Sequence, residues 1–212
     1  MTLSISDLCT FLSTAEKLKS TLRHNWTTTG RQESTVEHTW RLLLLFSLVQ
    51  ESENFAVDPV KMHTMLLIHD LSEVVHGDVP GFKKQASDKA SEKEAAEFVF
   101  ASLPIPLRER YLAILDEYDA QQSLESKLAK ALDRIETLLQ HLEAGIEHLY
   151  KEELGAHTRE YGKKEIAALG NPFVTSLYES IQGQLEPLLA QREKELATTA
   201  ETPREEVLLP LE

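Results

Sequence analysis

The stretch "LLIHDLSEVVHGD", residues 66–78, sets a histidine and an aspartate side by side inside an apolar run. Leu66, Leu67 and Ile68 lead into His69-Asp70, and Leu71, Val74 and Val75 follow. A fold that buries these apolar residues buries the carboxylate with them. An ionised carboxylate away from water is costly unless a positive charge neutralises it. The fold must therefore bring a cation, or ligands for one, to Asp70 from elsewhere in the chain.

The rest of the sequence has a helical period, with no convincing alternating strand and no repeat of the solenoid type. Helices are expected over residues 6–20, 35–50, 59–76, 92–103, 106–118, 123–150 and 163–196. Ser34 and Glu37 have capping-box spacing, which starts the second helix near Thr35. Asp58 and Pro59 punctuate the start of the third, and Gly77 its end. The polar segment Pro80–Lys93, with Gly81, Lys83 and Lys84, reads as a mobile loop beside a site. Residues 197–212 contain two prolines and no period, as a flexible tail would. The expectation is one all-α helical domain over residues 1–196.

Charge narrows the partners. Thirty-five acidic residues against 22 basic give a formal net charge of −13, which repels phosphate backbones, so no nucleic acid partner is expected. A small phosphorylated substrate needs only a local positive site. Cys9 has no second cysteine to pair with, and no secretory signal pattern is visible. The longest apolar run, Leu42 to Val49, is too short to span a bilayer. A cytoplasmic protein without a membrane partner is expected.

Two more polar residues interrupt apolar helical stripes. His38 precedes Leu42 by one turn and lines up with Leu45 and Val49. Asp133, in "KALDRIETLLQHL", shares a stripe with Ala129, Leu132, Glu136 and Leu139. Two histidines and two carboxylates from three helices suit a divalent ion such as Mn, Co, Fe, Ni or Zn better than Mg. Spacing alone leaves alternatives: a buried histidine is more often a hydrogen-bonded core residue, and Asp133 could pair with a lysine or arginine. Trp40, one residue off the His38 stripe, reads as core.

The H…HD…D pattern of His38, His69-Asp70 and Asp133 resembles the HD-domain phosphohydrolases. The segments "RQESTVEHTWRL", "LLIHDLSEVVHGDVPG" and "SLESKLAKALDRIETLLQ" look like the three motif blocks of the bacterial 5′-deoxynucleotidase branch and its eukaryotic relatives. The resemblance covers roughly residues 15–150. It implies an HD-domain helical bundle in which His38, His69, Asp70 and Asp133 ligate one divalent metal ion. It further implies that Glu73 handles a proton, Asp78 contacts the sugar, and Arg23 holds the phosphate. Arg31 and Glu33 match an Arg-x-Glu element bracing the entrance. The chain departs from the bacterial pattern at His24, where those enzymes carry a tryptophan that favours deoxyribose; its own tryptophan comes at Trp26.

His76 lies about 10 Å along a continuous helix from His69, too far to share its ion. His63 points to another face, and His141 falls two turns beyond Asp133. A single ion is therefore expected. The implied reaction is metal-dependent hydrolysis of a (deoxy)nucleoside 5′-monophosphate, a small-molecule nucleotide, to nucleoside and phosphate. Other reactions of the superfamily, on a nucleoside triphosphate, an alarmone or a phosphodiester, stay open. So do a non-catalytic metal-stabilised binding module and a homodimer.

Overall fold

The computed structural model of the protein describes residues 2–81, 83, 88–150 and 153–198. Helix α1 (Ile5–Ala15) and a 3-10 turn (Glu16–Lys19) lead into an antiparallel hairpin, β1 (Leu22–Trp26) and β2 (Gln32–Ser34). Then follow α2 (Thr35–Glu53), α3 (Pro59–Ile68), α4 (Glu73–His76), α5 (Asp88–Val99) and α6 (Ile105–Ala120). The chain continues through α7 (Leu124–Ala144), α8 (Ala156–Glu160), α9 (Lys163–Leu169) and α10 (Pro172–Thr198). The all-α class holds, with the hairpin as a small addition. None of the described helices is long and apolar enough to cross a membrane.

α7 is the spine. Leu128, Ala129, Ala131, Leu132, Ile135 and Leu138 are wholly buried along it. α2, α3, α6, α9, α10 and β1 all pack against it. Each fully buried leucine or isoleucine there is worth about 1.5–3 kcal/mol. Facing it, α2 buries Leu42, Phe46 and Val49 in line with Thr35, His38 and Thr39. Both halves of the Ser34–Glu37 capping box form, which fixes where α2 begins and how His38 is phased toward α7.

Several sequence expectations are corrected. The hairpin was not expected because β1 buries Arg23 and Asn25 where an apolar alternation would be sought. The helix expected over 59–76 ends at Ile68. His69 to Ser72 then turn through i→i−3 bonds, Leu71 N–H to Ile68 O at 3.0 Å and Glu73 N–H to Asp70 O at 3.0 Å, before α4. Gly77 does stop that segment, with φ at 76°. α7 ends at Gly145, whose φ of 88° cannot continue a helix. Left-handed Gly170, followed by an Asn171 side chain that accepts from Val174 N–H, splits the expected 163–196 helix in two. α8 had no signal, and α5 starts at Asp88, earlier than expected. Trp40 is 65% exposed and is no part of the core. Residues 82 and 84–87 of the expected mobile loop, and 199–212 of the expected tail, lie outside the described residues.

Gly162 caps α9 at φ 80°, and a Cβ there would meet Arg134 Cβ at 2.8 Å. Both facts tie the α9–α7 approach to this glycine. Gly162→Ala is expected to destabilise by about 1–3 kcal/mol. Thermal melts that coincide with the parent's would refute this close approach.

Candidate metal centre

Four side chains from three parts of the fold converge on the buried end of α2. His38 Nε2 lies 3.2 Å from Asp133 Oδ1 and 3.8 Å from Asp70 Oδ2. His69 Nε2 lies 3.0 Å from Asp70 Oδ2. One ligand atom each from His38, His69 and Asp133 falls within a 4.8 Å cluster. α2 supplies His38, the turn after α3 supplies His69-Asp70, and α7 supplies Asp133.

The imidazole tautomers follow from their outer nitrogens. His69 Nδ1 donates to Leu66 O at 2.8 Å, and His38 Nδ1 to the carboxylate of fully buried Glu136. Each ring thereby turns its Nε2 toward the carboxylates, and both Nε2 atoms are buried without a hydrogen-bond partner. Orphaned buried nitrogens are rare and costly. Two of them facing two carboxylates fit a divalent cation.

Charge argues the same way. Burial and Arg23 would lower the His38 pKa, yet Glu136 and Asp133 outweigh them and push it up to about 10. Burial likewise opposes ionisation of Asp70 and Asp133, but the neighbouring imidazoles, with Arg134 beside Asp133, hold both below the usual carboxylate range. The carboxylates demand positive charge, and a metal would meet that demand. Around them, Tyr118 donates to Asp133 Oδ2 at 3.2 Å and closes the α6 side.

Arg23 is buried beside this cluster, donating from Nη1 to Asp70 Oδ2 and from Nη2 to Thr137 Oγ1, each at 3.4 Å. Glu33 backs it, with Oε2 at 3.3 Å from Nε; burial and Glu136 push the Glu33 pKa up, partly offset by Arg23. Glu73 accepts from Thr35 Oγ1 at 2.8 Å, and burial together with Asp70 and Asp78 raises its pKa well above the ordinary value. It lines a cavity of about 220 Å³ with Ser72, His76, Gly77 and Val79. His24 bridges Asp78 Oδ2 at 3.4 Å and Glu153 Oε1 at 2.8 Å; burial opposes its charge, but the two acids push its pKa up to about 9. Arg31 stands apart: it is exposed and pairs with Glu37 of the capping box.

Sequence reasoning assigned no role to Glu136, Tyr118, Thr137, His141 or Glu153. Glu136 carried the same signal as Asp133, an acid within an apolar stripe. Glu153 carried none, because its neighbourhood has no period.

A model of the HD domain matches residues 15–171. The 5′-deoxynucleotidase HDDC2 of Homo sapiens is 28% identical over 137 residues, 63% of this chain and 66% of that protein. Its Bos taurus counterpart is 30% identical over 138 residues, 63% of this chain and 66% of that protein. The chain thus spans just under two thirds of the length of these relatives. A predicted metal-dependent phosphohydrolase from Magnetospirillum magnetotacticum MS-1 superposes with a TM-score of 0.71 at 26% identity, over 85% of this chain and 94% of that one. A conserved hypothetical protein from Pyrococcus furiosus shares the fold, with a TM-score of 0.59 at 21% identity, over 84% of this chain and 98% of that one.

Asp133→Ala is expected to abolish divalent-metal binding by this cluster. Glu136→Gln, which keeps the shape but removes the charge behind His38, should weaken it about 10–100-fold. Calorimetric titration of chelated protein measures both. Unaltered affinity in Glu136→Gln would mean that its carboxylate does not orient the imidazole.

Proposed function

Because the chain belongs to the HD-domain family, we propose that it is a metal-dependent phosphohydrolase cleaving (deoxy)nucleoside 5′-monophosphates to nucleoside and inorganic phosphate. The observation that carries this reading is the pair of orphaned His38 and His69 Nε2 atoms facing Asp70 and Asp133, with Arg23 and Glu73 alongside. A divalent cation held by these four residues, of the Mn, Co, Fe, Ni or Zn kind, would supply Lewis acidity toward a phosphoryl oxygen and lower the pKa of water.

The remaining work falls to this chain's own side chains. Arg23 is a fixed buried cation, suited to gripping the phosphoryl oxygens as negative charge builds on them. It is held there by Glu33 and Thr137, so little reorganisation is needed at the moment of reaction. Burial together with Asp70 and Asp78 raises the Glu73 pKa well above the ordinary value, which suits it to protonate the 5′-oxygen as the phosphorus–oxygen bond breaks and water oxygen bonds to phosphorus. Asp78 sits against His24, with its charge felt by Arg23, where a sugar joined to the phosphate can extend.

Glu73→Gln should keep the metal and the fold while losing about 10²–10⁴-fold in turnover. It should also alter pH stability in the metal-free protein. A carboxyl whose folded pKa is raised favours folding below its unfolded pKa, and that contribution is lost as pH rises through the folded value. Gln cannot ionise, so the variant should outlast the parent on the alkaline side of that window. Turnover within a few-fold of the parent would remove Glu73 from the chemistry.

Phosphate release from a nucleotide panel, with Mn, Co and Mg added separately, tests the reaction itself. Monophosphates are expected to be cleaved in preference to triphosphates and cyclic phosphodiesters. Among them, AMP and dAMP should differ by no more than about 10²-fold in kcat/KM, because no indole stands at position 24 to exclude a 2′-hydroxyl. A deoxy preference beyond about 10³-fold would show that His24 does not relax the sugar pocket.

A further inference from the structure

We propose that His24, His141 and Glu153 form a second site for a divalent transition-metal ion, separate from the H…HD…D set, which clamps the segment after α7 onto β1. One ligand atom from each of the three lies within a 4.8 Å cluster. The residues come from three elements: β1, α7 and the turn before α8. The rings of His24 and His141 are 6.1 Å apart between centroids, and Glu153 closes the triangle with Oε1 at 2.8 Å from His24 Nε2.

The surroundings support the reading. A cavity of about 20 Å³ is lined by these residues together with His157, Thr158 and Tyr161. That volume is of the order of one or two water-sized spheres and too small for an organic ligand. His141 is 8% exposed, lines the cavity, and makes no hydrogen bond among the described residues. Burial lowers its pKa to about 4, so it is the neutral imidazole that coordination requires.

The other two ligands are braced from behind. His24 Nδ1 faces Asp78 Oδ2 at 3.4 Å, and its Nε2 faces Glu153 Oε1. Glu153 Oε2 accepts from Tyr150 N–H at 2.9 Å, leaving Oε1 to the cavity. Carboxylate-backed imidazole is the arrangement that orients metal ligands elsewhere in proteins. Bonds of about 2.0–2.2 Å in tetrahedral geometry place ligand atoms roughly 3.3–3.5 Å apart, so His24 and Glu153 need to separate by about half an ångström. The ion takes the place of the proton now shared between them. Two imidazoles and one carboxylate leave a coordination position open and suit Zn, Co, Fe or Ni over Mg or Ca.

The two sites share no ligand. Asp133 and His141 are eight residues apart on α7, which at 1.5 Å per residue is about 12 Å along the helix. The proposal does not depend on the nucleotidase reading.

The test is titration of chelated full-length protein with Co²⁺, followed by visible absorption and calorimetry, with bound metal counted after desalting. Two equivalents are expected in the parent. Asp133→Ala should retain one equivalent, and His141→Ala and Glu153→Gln should each weaken the second at least about tenfold while leaving the first. Far-UV circular dichroism checks that each variant folds, and the parent titration stands without them. Saturation of the parent at one equivalent would overturn the proposal. So would a second equivalent that survives both His141→Ala and Glu153→Gln, since it would then lie elsewhere.

Discussion

The structure turns on two carboxylates, Asp70 with Arg23 beside it and Asp133 with Arg134, whose facing imidazole nitrogens remain unbonded. Asp133 is buried and Asp70 half-buried, with two imidazole nitrogens facing them and no hydrogen bond made by either nitrogen. A histidine can lend a proton to such a place, as the raised His38 pKa indicates, but one proton is a poor match for two carboxylates with Glu136 behind them. Replacing it with a divalent ion restores neutral imidazoles and balances the acids together. α2, the turn after α3, and α7 supply the groups that meet there.

α7 meets both demands because it is buried on more than one side. Its apolar residues anchor the bundle, while Asp133, Glu136, Thr137 and His141 face the hairpin and the end of α2. A helix with one solvated face has no room for this. Here the polar stripe is itself interior, so every member must find a partner or a ligand. Asp133 has His38 and Tyr118, Glu136 has His38, and Thr137 has Arg23.

How much was legible in the sequence follows from the same physics. Polar residues breaking apolar helical stripes are conspicuous, which is why His38, His69, Asp70 and Asp133 could be picked out, and the structure brings those four together. The Ser34–Glu37 box and the Asp58-Pro59 start were legible because capping is local chemistry. The hairpin was not, because its buried positions, Arg23 and Asn25, are polar and mimic a loop. The break after Ile68 was hidden as well, since its tight turns keep the apolar residues inward without a glycine or proline to mark them. Glu153 joins His24 across 129 positions of sequence, and no local pattern encodes such a meeting.

The hairpin that the sequence concealed also keeps the two clusters apart. Successive side chains of a strand point to opposite faces. Arg23 accordingly reaches Asp70, Thr137 and Glu33, whereas His24, the next residue, reaches Asp78 and Glu153. α7 backs both sides, with Asp133, Glu136 and Thr137 behind Arg23 and His141, one turn further on, behind His24. A strand period of two and a helix period of 3.6 thus sort adjacent residues into different chemistry. Asp78 is where they meet again, because it touches His24 while its charge is felt by both Arg23 and Glu73. Whatever fixes His24 also fixes Asp78, so an ion held by His24, His141 and Glu153 would set the position of that acid without touching Arg23 or the His38–Asp133 cluster.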